Sequence, residues 1–210
     1  MSETPKRILV DTNVWLDYFI PSRRGRSVAV EFLRDACTAQ VDLLYAATSS
    51  KDLFYLISSE HKAWYRREHG SLSQNAAAAA TSLAWDCLSV LSQLATPVPC
   101  DLSDIWMASR QRELHSDYED DLIIAAAIRA QADLLVTNDV KLCSHAPVAA
   151  MSVEDAKNYL ATLQQFEDPA GRIKVSECPQ AGPRQPVPTG RIKVSESPPF
   201  EPRCREMKRR

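Results

Sequence analysis

The sequence predicts an α/β fold built on a mostly parallel sheet, and three observations predict it. Short runs of consecutive apolar residues, Ile8-Leu9-Val10 and Leu134-Leu135-Val136, read as strands buried on both faces. Between them lie stretches whose apolar residues recur at helical spacing. The 210 residues are 45% hydrophobic, enough for one core in one domain with an appendage. Strands alternating with helices of this length build a parallel sheet.

Taken in order, Ile8 to Val10 is a strand ended by Asp-Thr-Asn. Ser27 to Ala39 has helical spacing through Val28, Phe32, Leu33 and Ala36, and Val41 to Ala47 is the next strand. Ser49 or Ser50 can cap a helix through Lys51 to Ser59, with Leu53, Phe54, Leu56 and Ile57 turned inward. Ser71 to Leu94 is rich in alanine, a strong helix former, and reads as one helix or a bent pair. Pro97 and Pro99 break it. Leu102 to Leu114 and Tyr118 to Ala130 are helical, Leu134 to Val136 is a strand, and Val148 to Met151 a weaker one. Ser152 then caps a last helix, Val153 to Gln164.

Composition divides the chain into a body, 1–166, and a tail, 167–210. The tail holds 3 of the 5 glycines and 8 of the 13 prolines and is expected to be disordered. It also repeats itself, with GRIKVSECP from Gly171 recurring as GRIKVSESP from Gly190. A duplicated linker is the ordinary reading; an edge strand added to a partner is the sharper one. The tail carries 10 basic and 6 acidic residues and the body 15 and 21, so a net charge of −2 splits into +4 and −6. A body of that sign is not a basic nucleic-acid clamp. No apolar run approaches the ~18 residues of a membrane span. MSETPKRILV has no signal-peptide organisation. The six cysteines show no zinc or disulfide spacing, so a soluble cytoplasmic protein with reduced thiols is expected.

Four segments place an acid where chemistry can use it. Asp11 follows the first strand and Asp139 follows the strand ending at Thr137, so both are expected in the crevice beyond the carboxyl ends of the sheet. Asp52 opens one helix and Asp120 another, within Asp117-Tyr118-Glu119-Asp120-Asp121. The spacing of Asp117, Asp120 and Asp121 predicts one helical face. Each acid has an ordinary explanation: Asp52 as a capping box with Ser49, the Asp117 run as dipole compensation, Asp11 and Asp139 as turn caps. Together they converge on one rim, where a hard cation, Mg²⁺ or Mn²⁺, relieves the repulsion among carboxylates. His61, His69, His115 and His145 lack ligand spacing.

In these motifs the body resembles the PIN domain, the ribonuclease fold of VapC-type toxins. Val10-Asp11-Thr12-Asn13, Ser50-Lys51-Asp52-Leu53, Asp117-Tyr118-Glu119-Asp120 before LIIAAAIRAQAD, and Leu135-Val136-Thr137-Asn138-Asp139 carry the resemblance, which spans Arg7 to Leu163. It implies a three-layer α/β/α arrangement and an acidic quartet of Asp11, Asp52, Asp120 and Asp139 that binds metal and catalyses. Asn13 matches the residue that steadies the first acid, and Thr137 the hydroxyl before the last. The second acid is Asp where the family commonly has Glu. At the third position Asp120 fits best, with Asp121 adjacent and Asp117 as a helper.

The resemblance implies metal-dependent hydrolysis of RNA by a toxin of a type II toxin–antitoxin pair, with a cognate antitoxin and a second copy of the chain as partners. Lys51, Arg110, Arg112 and Arg129 flank the acids and could steady an RNA backbone, or be solvated helix faces. Trp15 could stack on a base, though a core role is the commoner fate. A dehalogenase-like phosphatase needs an Asp where Asn13 stands, and dinucleotide binding needs a glycine-rich first turn that the body lacks. The rival reading is a PIN-fold binding module with weak or no nuclease activity, acting through its tail.

Overall fold

A computed structural model describes residues 6–111 and 117–167. In chain order these form β1 (Arg7–Val10), α1 (Thr12–Phe19), α2 (Arg26–Thr38), β2 (Asp42–Ala46), α3 (Ser49–His69), α4 (Gln74–Leu94), β3 (Thr96–Val98), α5 (Leu102–Gln111), α6 (Tyr118–Arg129), β4 (Leu134–Val136), α7 (Val140–His145), β5 (Ala150–Met151) and α8 (Val153–Glu167). The chain divides into Met1–Cys178 and Pro179–Arg210. Apart from Glu167 at the end of α8, the expected tail and its duplicated segment lie outside the described residues.

All five strands are parallel, in the order β3-β2-β1-β4-β5. Registers such as Leu9 opposite Leu44 and Val10 opposite Val136 align the carboxyl ends of the three central strands. Alternation along the strands divides the core. Ile8, Val10, Leu43, Tyr45, Leu134 and Val136 pack with α1, α2, α4 and α8, while Leu9, Leu44, Ala46 and Leu135 pack with α6 and Leu142 of α7. Helices therefore cover both faces, the three layers expected.

Local chemistry accounts for most helix limits. In α2 the buried stripe Ala29, Phe32, Leu33, Ala36 has spacing i, i+3, i+4, i+7. The Ser73 hydroxyl accepts from the Ala76 amide to start α4, which runs unbroken to Leu94. Gly70 ends α3 at φ 76°, the left-handed region a side chain disfavours. Ser152 and Asp155 cap α8 reciprocally, as expected of Ser152.

Several expectations change. Helix α3 begins two residues earlier than predicted and runs ten residues further; Thr48 precedes it without a side-chain cap, and Ser50 instead donates to the Ala47 carbonyl. Leu56 is 45% exposed rather than turned inward, because the buried stripe is Ser49, Leu53, Ile57. β3 contains Pro97, read from sequence only as a helix breaker. An edge strand has no neighbour on one side and so tolerates a residue without an N–H. The short helices α1 and α7, eight and six residues, are too brief for a periodic signal. Among the described residues no helix is long and apolar enough to cross a membrane, and Cys37, Cys87, Cys100 and Cys143 are free thiols.

One polar clasp joins α5 to α6. Arg129 donates to both oxygens of buried Asp104 at 2.9 Å and pairs with Asp101 at 2.6 Å. Asp104 also accepts from the Asp101 amide, and the Ser103 hydroxyl and amide both donate to Asp101. These Ser103 bonds, then Arg129, hold the Asp101 carboxyl at about 2, below its ordinary 3.8. The stabilisation from Asp101 is therefore complete above pH 3.8 and is lost as pH falls toward 2. Asp104→Ala is expected to lower unfolding free energy by about 2 kcal/mol in urea melts near neutral pH, since it removes charge-assisted bonds made inside the fold.

Candidate functional site

The strand order creates the site before any side chain is considered. From β1 the chain moves outward on one side through β2 and β3, then returns to lay β4 and β5 on the other. The connections diverge between β1 and β4, and in open parallel sheets the crevice beyond the carboxyl ends at such a point is where ligands bind. Asp11 leaves β1 there, and Asp139 stands three residues past the end of β4. The expectation that both share one crevice holds.

Asp11 is 5% exposed and fully engaged. Its Oδ1 accepts from the Thr12 amide at 2.6 Å, and its Oδ2 accepts from Thr137 Oγ1 at 2.6 Å and Asn13 Nδ2 at 2.7 Å. Burial nevertheless pushes its pKa above the usual carboxylate value; the bonds from Thr137 and Thr12 pull it down, and the charge of Asp139 adds to the rise. Thr137 is the hub, since its hydroxyl also accepts from Asn13 Nδ2 and from the Asp139 amide. Asp139 in turn caps α7 through the Lys141 and Leu142 amides. The capping roles that explain Asp11 and Asp139 structurally are thus real, and they orient both carboxyls rather than compete with a site.

The facing rim comes from the first turns of α3 and α6. Asp52 is partly buried and pairs with exposed Lys51 at 3.1 Å. It makes no capping box, because the Ser49 hydroxyl instead accepts from Thr12 Oγ1 at 2.8 Å. On α6, Ile123, Ile124 and Ala127 face the sheet. Asp120 stands three, four and seven residues before them, so it continues that stripe to the crevice. Asp121, buried, lies off the stripe. Asp117 is the non-helical N-cap, its carboxylate accepting from the Glu119 amide at 3.0 Å, so the predicted single face of Asp117, Asp120 and Asp121 does not form.

Glu119 is the acid that the sequence reading passed over. Partial burial raises its pKa, and the charges of Asp52, Asp117 and Asp11 raise it further against the pull of Lys51. The acids that act on it are thus those of the α3 and strand-end segments together with its own N-cap. On a helical wheel it flanks the Ile123–Ala127 stripe on the side away from Asp121, which was the available signal. A second unforeseen group lies beneath Asp139. Asn138 donates its amide to Asn13 Oδ1 at 3.2 Å and its Nδ2 to buried Asp17 at 3.0 Å. Arg23 pairs with the same Asp17. A Cβ on Gly25 would stand 2.1 Å from an Asp17 oxygen, so glycine is required for this approach.

The donors at the crevice are all oxygens, the set a hard divalent cation takes. Among the described residues no three His, Cys, Asp or Glu side chains gather closely enough to hold an ion unaided. Mg²⁺ asks for less, since it commonly uses one or two carboxylates with waters and substrate phosphate. A cavity of about 300 Å³ lined by Ile20, Pro21, Ser22, Glu60, His61 and Trp64 contains none of these acids.

The flanking cations fare unevenly. Lys51 is exposed beside Asp52 and Glu119. Arg110 is exposed and sits 5.1 Å from the Trp106 ring centroid. Arg129 is committed to Asp104 and Asp101, and Arg112 lies outside the described residues. Trp15 is fully buried, stacked on Phe19, with its ring N–H on the Val10 carbonyl, so its role is in the core.

The sequence matches the PIN domain family over residues 7–141. No curated protein matches it. Similar solved structures include VapBC2 from Rickettsia felis bound to a DNA fragment from their promoter, at TM-score 0.50 and 13% identity, covering 70% of this chain and 98% of that one. FitAcB from Neisseria gonorrhoeae matches at TM-score 0.49 and 17% identity over 70% and 97% of the two chains. PAE2754 from Pyrobaculum aerophilum matches at 0.46 and 16% over 74% and 90%. The likeness to VapBC2 is one of fold.

Thr137→Val tests the hub. It keeps the shape but strips a hydroxyl from a buried carboxylate, and thermal or urea unfolding is expected to show a loss of about 2 kcal/mol. Thr137→Ser, which restores the hydroxyl, is expected to recover most of it.

Proposed function

The chain belongs to the PIN domain family, and from that premise we propose that it is a divalent-metal-dependent endoribonuclease, the toxin of a toxin–antitoxin pair. The observation that carries this reading is the buried, triply hydrogen-bonded Asp11 at the divergence of β1 and β4, within the field of Asp139 and opposite Asp52 and Glu119. A fold that only needed stability would not crowd carboxylates at one rim, because each raises the cost of ionising the next.

Asp11, Asp120 and Asp139, with Asp52 and Glu119 at the facing rim, would hold Mg²⁺ or Mn²⁺. The bound cation supplies an activated water and offsets charge on the phosphate. The protein supplies the rest. Thr137, Asn13 and the Thr12 amide fix the Asp11 carboxyl in one orientation before substrate arrives. The Lys141 and Leu142 amides both hold the same Asp139 oxygen, which fixes that carboxyl at the start of α7. Lys51 offers an exposed ammonium at the rim for a backbone phosphate. The cation also reconciles a body of charge −6 with an anionic substrate. A cognate antitoxin and a second copy of the chain complete the proposal, as the resemblance to VapC-type toxins implies.

A binding role without cleavage is the second reading. It is favoured by the absence, among the described residues, of three acids close enough to cage an ion.

Cleavage of total cellular RNA by purified protein separates the two. Wild type is expected to cut with Mg²⁺ or Mn²⁺ and to stop with EDTA, while Asp11→Asn/Asp120→Asn, which keeps side-chain size and removes two charges, falls to background. Identical patterns from wild type and mutant would refute the acidic mechanism. Absence of cutting by antitoxin-free wild type would leave the binding role.

A further inference from the structure

Two large aromatic rings stand exposed on either side of Phe54, one of them, Tyr55, a turn beyond Asp52. Tyr55 is 65% exposed and Trp85 is 63% exposed, whereas Trp15 in the same protein is fully buried. Both lean on Phe54, which is half-buried and rooted in the core; its ring lies 5.3 Å from Tyr55 at 82° and 4.9 Å from Trp85 at 57°. The cluster is therefore anchored from below and open above. Tyr55 follows Asp52 by three residues and Lys51 by four, so all three share one side of α3 within about 6 Å of rise. The Lys51 ammonium pairs with Asp52 at 3.1 Å, which ties this side of α3 to the acidic rim.

We propose that Tyr55 and Trp85 are a stacking platform for an unpaired base of single-stranded RNA, holding the strand so that its backbone crosses Lys51 and the acids. This rests on the ribonuclease reading above. Chemistry selects the occupant. A nucleobase has a π-face for each ring and a phosphate for the neighbouring ammonium, and stacking tolerates any base. The charge pattern agrees, since α4 carries Asp86 as its one charged residue, leaving Lys51 as the cation beside the rings. The other exposed apolar stripe, Leu102, Ile105 and Trp106 on α5, is more aliphatic, and Arg110 already covers its ring. Because one ammonium serves the platform, removing Lys51 should reduce the salt slope of binding by about 0.7, the value for one phosphate on a single strand.

The test is fluorescence anisotropy with a labelled single-stranded RNA and its duplex, in Ca²⁺ to occupy oxygen ligands. Wild type is expected to prefer the single strand. Tyr55→Ala and Trp85→Ala are each expected to weaken binding about tenfold, Tyr55→Phe to keep it, and the Trp106→Ala control to leave it unchanged. Circular dichroism and size-exclusion mass would be recorded for every variant. Wild type that binds no RNA would overturn the ribonuclease reading and the platform with it. Wild type that binds, with Tyr55→Ala and Trp85→Ala equal to it, would overturn the platform alone. So would equal affinity for duplex, or a loss of binding that accompanies a change from dimer to monomer, which would assign the rings to a second copy of the chain.

Discussion

Taking a carboxylate out of water costs several kcal/mol unless donors replace the lost hydration. Asp11 meets that condition with one amide, one side-chain amide and one hydroxyl, drawn from two segments 126 residues apart in sequence. Much of the site's order depends on this arrangement. The Thr137 hydroxyl can reach Asp11 because β4 lies in register beside β1, and the same hydroxyl receives the Asp139 amide. Asn13 closes the ring by donating to both Asp11 and Thr137 while its carbonyl receives the Asn138 amide. Position at the crevice is thus inherited from the sheet, with little left to loop flexibility.

What the sheet positions, electrostatics keeps under tension. Burial raises the Asp11 pKa despite three donors, and Glu119 is raised by burial and by three neighbouring acids. Structural carboxylates usually show the reverse, as Asp101 does under the hold of Ser103 and Arg129. Both kinds occur in one molecule, which makes the contrast informative. At the α5–α6 clasp one guanidinium, Arg129, serves both acids, whereas at the crevice Asp11 has neutral donors and Lys51 is the nearby ammonium. Functional sites are where such strain is retained, because relieving it by substitution would remove the chemistry.

The legible parts of this structure are those set by short-range rules. Three consecutive apolar residues marked β1 and β4, and an acid after each marked the crevice, because the strand and its exit are local. Around Asp120 the sequence left Asp121 and Asp117 as neighbours of equal chemistry, and the packing of Ile123, Ile124 and Ala127 is what separates them. Glu119 was not legible, since the i, i+3, i+4 pattern from Asp117 requires a helical Asp117, whose backbone, φ −102° and ψ 110°, is that of a cap. Asp17 was hidden because α1 is only eight residues and follows its strand directly. Pro97 concealed β3, whose edge position is a property of the whole sheet. Trp15 was ambiguous for the same kind of reason, as only packing decides whether an aromatic ring beside an acid faces core or solvent.

Helix α3 shows how one element can serve both fold and site. Its Ser49, Leu53, Ile57 stripe is buried against the core, and the Ser49 hydroxyl accepts from Thr12 beside Asp11, so its first turn is tied to the crevice. Lys51 and Tyr55, on the opposite side of its first turns, are exposed. There the order Lys51, Asp52, Tyr55 sets a cation, an acid and an exposed ring along a single turn, with Phe54 between the two sides as the support for Tyr55 and Trp85. Burying Tyr55 and Trp85 would gain roughly 1.5–3 kcal/mol for each large apolar side chain. Leaving both in water beside an acidic rim, while Trp15 is enclosed a few residues from Asp11, is coherent when the rings face a ligand rather than the core.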